Sequence, residues 1–418
     1  MHSATTPTHM LPRQRRTDGP QDASPSTSEE NQQTFESNGK GKDRISLRQR
    51  LKHFTFAWFA CTMATGGVAT LLSEQPHTFN GLQTIGKIVY IFDLCLFVTF
   101  TTAIIARFRW HPGTFRKAIA HPTESLFIPT FFLSIVNIFN GAQAYGVPET
   151  GVWLTDALRV CFWTYLACAI LLAVGQYLQL FSAPSEQLTI QSMTPSWLLP
   201  IFPAMLSGTF ASQIAPSQPP AARTAIIFAG VTMQGLGWMV SFLMCSAYIQ
   251  RLMQYGFPTP NMRPGMFIAV GPPSFTSLAL IGMASAIPED YGYFAANPGS
   301  AQTFRSMALI VSVFLWTLGF WFFCISLLAL LLEVRNMSFH LVWYALIFPN
   351  VGFTLAVIYI GEALMSPGIQ WVGSIMTVLL VAVWLSVLGL HLRAVLTKQI
   401  MMPTLDEDKD QYQEDDEA

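Results

Sequence analysis

Charge is scarce in this sequence. Only 11% of the 418 residues are Asp, Glu, Lys or Arg, 51% are hydrophobic, and the mean hydropathy is +0.40. A soluble domain carries roughly twice that charge, so a water-soluble globular chain is excluded. Cysteine is sparse as well. Cys61, Cys95, Cys161, Cys168, Cys245 and Cys324 all fall in apolar runs and have no metal-ligand spacing. They read as small core residues, with neither a disulfide framework nor a metal site. No H-E-x-x-H, P-loop or nucleophile–base pair is present, so the chain is not expected to be an enzyme. No cofactor and no nucleic-acid partner is implied. Residues 1–43 have almost no large apolar side chains after Leu11 and lack the apolar centre of a secretory signal. They are expected to form a disordered tail, leaving targeting to the first span.

What the sequence has in quantity is apolar length. Ten runs of at least ~19 residues predict an all-α polytopic membrane protein in the lipid bilayer. Five of the runs are interrupted. The stretch RPGMFIAVGPPSF (263–275) carries Gly271, Pro272 and Pro273 inside a segment long enough to span a bilayer. Proline removes a backbone donor, and lipid cannot replace it, so such a segment must face other helices or a water-filled path. Similar interruptions fall at Pro129, at Pro200 and Pro203, and at Pro349, while the first run carries Gly66 and Gly67. From Gly67 through Pro129, Pro203, Pro273 and Pro349 the spacings are 62, 74, 70 and 76 residues. Smooth runs alternate with them, near 84–107, 153–179, 222–250, 303–333 and 369–396. A near-constant period holding two crossings predicts five helical-hairpin repeats. The transmembrane domain is set at 44–398, followed by an acidic, disordered tail over 399–418.

Loop charge gives the orientation. With the N-terminus inside, the inner segments hold Arg44, Arg48, Arg50, Lys52, Arg107, Arg109, Arg116, Lys117, Arg251, Arg263, Arg335, Arg393 and Lys398. The outer segments hold only Lys87, Arg159, Arg223 and Arg305. That asymmetry places both termini in the cytoplasm. Residues 44–54 read as a short basic helix on the inner leaflet or a plain basic anchor.

The stretches RLKHFTFAWFACTMATGGV (50–68), TIGKIVYI (84–91), PSWLLPIFPAM (195–205), RPGMFIAVGPP (263–273) and IFPNVGF (347–353) resemble the tellurite-resistance and dicarboxylate transporter family, also called the voltage-dependent anion channel family. The similarity extends from about Leu47 to about Lys398 and is nearest to the fungal malic acid transporters. It implies a central pore lined by the odd-numbered helices. It also implies plasma-membrane transport of C4-dicarboxylates (malate, succinate, fumarate) and assembly as a trimer, with a dimer left open. The family also includes gated anion channels and a sulfite efflux pump, so the fold leaves those as alternatives.

Several residues are candidates for the chemistry. Lys87 and Arg159, at the outer starts of smooth spans, are the preferred contacts for a dianion, since fixed positive charge concentrates anions; Arg223 and Arg305 rank behind them. Ser207, Ser274, Thr276 and Asn350 lie beside the proline breaks, where half-helix N-termini favour carboxylates, although each can instead bond back to its own helix. The resemblance makes Phe348, just before Pro349, the pore gate, with Gly67, Pro129, Pro203, Pro273 and Pro349 as the breaks lining the pore. Asp93 and Glu362 are acids inside apolar spans and so are proton-coupling candidates.

Overall fold

A computed structural model describes residues 46–121, 123–182 and 189–401. The expectations for residues 1–43, and for the tail from 402 onward, fall outside the described residues. Residues from Leu47 onward belong to one unit, and among the described residues every regular element is helical. Ten helices are long and apolar enough to cross a membrane: α1 (Phe56–Ser73), α2 (Leu82–Trp110), α3 (Glu124–Glu149), α4 (Val152–Phe181), α5 (Pro195–Ser217), α6 (Pro220–Tyr255), α7 (Pro260–Ser285), α8 (Ser300–Leu331), α9 (Leu341–Ala363) and α10 (Pro367–Leu396). The chain is an integral, multi-pass membrane protein.

Odd and even helices differ in their backbone. The even ones run as continuous α-helices of 29 to 36 residues, longer than the ~20 a bilayer requires. Four of the odd ones begin as tighter 3-10 turns and change to α-helix at the proline. The change comes at Ile128 in α3, Phe202 in α5, Gly271 in α7 and Phe348 in α9. Pro129, Pro203, Pro272 and Pro349 then occupy the second position of the α segment, where a missing N–H costs nothing. The interruption is thus a change of helix type. The Ser125 carbonyl before it accepts from the Ile128 N–H and also from the Gln176 amide of α4.

The first helix departs from expectation. Gly67 is not a break: α-helix runs through it from Phe59 to Ser73, and the 3-10 turn lies earlier, at Phe56–Trp58. Glycine weakens a helix by about 1 kcal/mol relative to alanine, but unlike proline it keeps its backbone donor.

The two kinds of helix form two layers. Over their most apolar stretches α1, α3, α5, α7 and α9 are 89, 61, 94, 89 and 78% buried, whereas the even helices are 22 to 39% buried. Each odd helix packs on the next, and α9 packs back on α1, so the five make a closed ring. The even helices lie outside the ring, α2, α6, α8 and α10 each mainly on the odd helix that precedes it and α4 mainly on α5, which follows it. Ile88, Val98, Leu171, Leu243, Phe314 and Val378 are among their exposed side chains, a surface suited to hydrocarbon.

Polar contacts fix the predicted inner end. Arg107, near the end of α2, is fully buried rather than the loop cation its position suggested. Its guanidinium grips the Glu124 carboxylate of α3 with two bonds of 2.5 and 3.2 Å and donates to the Phe54 carbonyl at 3.0 Å. The short helix Leu47–Leu51 is tied to the end of α10 through Arg50, which donates to the Val395 carbonyl at 3.4 Å. Removing one partner of a buried ion pair strands the other charge. Arg107→Met should therefore lower stability by about 3–5 kcal/mol, and the double variant Arg107→Met/Glu124→Leu should recover most of it. Thermal unfolding of the detergent-solubilised protein measures both.

Candidate functional site

The ring closes on aromatic side chains. Phe348 begins the α segment of α9 and is 1% exposed. A methyl group added at Gly67 of α1 would stand 3.3 Å from its ring, so the glycine permits this approach. The Phe275 ring of α7 lies on it, centroids 4.9 Å apart and planes at 31°, within the range of favourable aromatic pairing. Phe275 is seated in turn by Gly352 of α9, where a methyl would come within 2.9 Å of its ring. Phe202 of α5 faces Gly271 of α7 in the same way, at 3.3 Å, and Gly271 adjoins Pro349. Four of the five inner helices thus meet in one apolar tier at the proline level.

The polar candidates beside the prolines bond back to their own helices. Ser207 donates to Pro203 O at 3.2 Å, Ser274 to Val270 O at 2.7 Å, Thr276 to Pro272 O at 2.7 Å, and the Asn350 amide to Leu346 O at 2.8 Å. Thr276 also accepts from Gln234 of α6 at 2.8 Å. Asn350 keeps a buried amide oxygen with no partner, as does Gln234 beside Thr276.

The four cations lie on even helices, toward the predicted outer end, and are engaged there. Lys87 meets Glu149 at 2.8 Å, Arg159 meets Asp156 at 2.8 Å and Gln218 at 3.2 Å, and Arg305 meets Glu289 at 2.5 Å. Arg223 donates to the Gln218 and Pro216 carbonyls. The structure does not bring them to the ring axis.

Asp93 has the reverse character. It is wholly buried in α2, and neither carboxyl oxygen has a hydrogen-bond partner. Gly66 of α1 and Asn137 of α3 wall it in: a methyl at Gly66 would sit 2.7 Å from Asp93 Oδ2 and 2.9 Å from Asn137 Cβ. An unpaired carboxylate is costly in such surroundings. Glu362 is exposed at the end of α9.

Some contacts lie beyond sequence reading. Phe275 is one of 32 phenylalanines, and only its partner distinguishes it. The buried pair of Tyr344 and His391, joined at 2.8 Å between α9 and α10, has no local signature. Glu124 had one, an acid just before Pro129 in an apolar run.

Ten apolar helices in two layers, the inner ones proline-interrupted and meeting in an aromatic tier, define a polytopic helical membrane protein. The SLAC1 family model, voltage-dependent anion channel, matches residues 53–392, and the chain belongs to this family of membrane transporters and channels. It is similar to the malic acid transport protein of Schizosaccharomyces pombe, 36% identical over 87% of this chain and 83% of that one. A putative malic acid transport protein of the same yeast is 34% identical over 88% and 85%. The sulfite efflux pump of Arthroderma benhamiae is 24% identical over 84% and 93%.

The pocket around Asp93 has no room for another carbon. Gly66→Ala should lower the unfolding midpoint by an amount corresponding to about 1–3 kcal/mol, and adding Asp93→Ala should restore part of it by freeing the space.

Proposed function

We propose that this protein carries C4-dicarboxylates such as malate, succinate and fumarate across the plasma membrane, through a path along the axis of the inner ring. The observation that carries this reading is the Phe348 ring, set between Gly67 of α1 and Phe275 of α7 where the proline-interrupted helices meet. A close-packed ring at a constriction excludes hydrated ions until it moves, so Phe348 is the gate, and Gly67, Pro129, Pro203, Pro273 and Pro349 shape the path around it. The similarity to malic acid transport proteins over most of both chains supports the substrate class.

Lys87 and Arg159 draw dianions to the outer end. Their present ion pairs are surface contacts worth about 0–1 kcal/mol, weak enough to exchange for a substrate carboxylate. Asn350 offers its amide at the gate, and Ser207 and Ser274 offer hydroxyls next to the Pro203 and Pro273 breaks. Asp93, buried and unpaired, and Glu362 at the outer end are the groups through which protons couple to flux. The protein functions as a homo-oligomer, a trimer before a dimer, with both termini in the cytoplasm.

The test is uptake of labelled malate by yeast cells stripped of their own carriers, with chloride current recorded in parallel. Saturable malate uptake without chloride current is expected, together with uptake in Asp93→Asn that depends less on external pH than uptake by the unmodified protein. Phe348→Ala should raise flux by about tenfold or more, the effect of lowering a barrier by about 1.4 kcal/mol. Chloride or sulfite flux without saturable malate uptake would replace this reading with a gated anion channel or a sulfite efflux pump.

A further inference from the structure

A second tier crosses the ring beyond the aromatic one. Tyr359 of α9 donates its hydroxyl to Glu74 Oε2 at 3.2 Å and accepts from the Gln213 amide at 3.0 Å. Glu74 follows the last residue of α1, and Gln213 lies on α5. In the ring order α1–α3–α5–α7–α9, helix α9 does not neighbour α5, and α1 does not neighbour α5. A hydrogen-bonded chain from Gln213 through Tyr359 to Glu74 must therefore run over the inner faces of the helices between them. Gly282 of α7 makes that route possible. A methyl there would lie 3.2 Å from the Tyr359 ring and 2.8 Å from Ser212 of α5.

Helical register ties this tier to the gate. Eleven residues separate Phe348 from Tyr359 on α9, Phe202 from Gln213 on α5, and Gly271 from Gly282 on α7. At 100° per residue, eleven steps return to within about 20° of the starting face and advance about 16 Å. Seven residues separate Gly67 from Glu74, again about 20° from one face. The same four helices that form the aromatic tier build, two turns outward on α1 and three on α5, α7 and α9, a polar tier on the same helix faces.

We propose that Gln213, Tyr359 and Glu74 form a polar bar across the predicted outer mouth, and that the protonation of Glu74 decides which charge state of a carboxylate substrate passes. This rests on the axial pathway proposed above. With Glu74 ionised, the bar presents fixed negative charge to an entering anion, and Glu362, one turn beyond Tyr359, adds to it. With Glu74 neutral, the Gln213 amide and Tyr359 hydroxyl remain as donors for a carboxylate and the repulsion falls. Partial burial pushes the Glu74 carboxyl above its ordinary value, and the nearby Glu362 charge raises it further, against hydrogen bonds from Tyr359 and Gln213 that lower it. Acidification therefore neutralises Glu74 sooner than a free carboxylate.

The other groups around the bar do not compete. Tyr145 of α3 is bonded to the Ala69 carbonyl, Gln75 turns to Thr377 of α10, and His77 stacks on Trp371 and bonds Ser374. Ser212 and Ser285 bond within their own helices. Among the described residues neither Glu74 nor Glu362 takes part in an ion pair.

The experiment compares labelled malate uptake by Glu74→Gln and by the unmodified protein over a range of external pH, each normalised to the amount at the cell surface. Taking the ratio of the two at each pH cancels the ionisation of malate itself. The ratio should be near one in acid and rise to about fivefold near neutrality, the effect of removing one unit charge met at ~4 Å in water. Tyr359→Phe, which keeps the ring but unties the bar, should raise the near-neutral ratio in the same direction. If Tyr359→Phe does not reach the membrane, Glu74→Gln decides alone. A ratio that stays flat across pH overturns the bar. If Phe348→Ala still alters flux in that case, the axial pathway stands without it. If Phe348→Ala leaves flux unchanged as well, the pathway and the bar fall together.

Discussion

Hydrocarbon offers no hydrogen bonds, and the architecture follows from that. A proline-interrupted helix exposed to lipid would leave backbone groups without partners, so the interrupted helices must be enclosed by the continuous ones. Alternation along the chain then becomes two layers in space, with five hairpins each contributing one inner and one outer helix. The prolines themselves are placed with economy. By occupying the second position of an α segment entered from a 3-10 turn, they mark where the inner helices change pitch and let side chains from neighbouring helices converge.

That convergence is built from glycine as much as from phenylalanine. Gly67, Gly271 and Gly352 each sit where a methyl would touch an aromatic ring of a neighbouring helix. The same logic recurs at the outer tier, where Gly282 lets Tyr359 cross α7. Because both tiers rest on the eleven-residue register, rotation of α9 about its axis would move Phe348 and Tyr359 together. Phe348 and Tyr359 are thus mechanically one unit.

Electrostatics in the low-dielectric interior take two forms. Arg107 and Glu124 are paired in full and lock α2, α3 and the entry to α1. Asp93 is left alone between Gly66 and Asn137. The first arrangement fixes structure. The second leaves a buried acid without a partner between three helices.

The sequence by itself determined the class, the number of spans and their alternation, because apolar length and proline position are local properties that lipid converts directly into topology. It also determined which residues were worth suspecting: Phe348 and Asp93 stand out as an aromatic at a proline break and an acid in an apolar run. It misread Gly67 as a break, since glycine and proline look alike as punctuation while only proline loses the donor. It placed Arg107 among the loop cations, because burial at a helix end depends on Glu124 arriving from the next helix. Only the tertiary structure decided that Phe275 backs Phe348, that Lys87 and Arg159 are engaged by acids away from the axis, and that Glu74, Tyr359 and Gln213 meet. Each of these depends on which helices are neighbours around a closed ring, and ring order is fixed by packing between segments far apart in the chain.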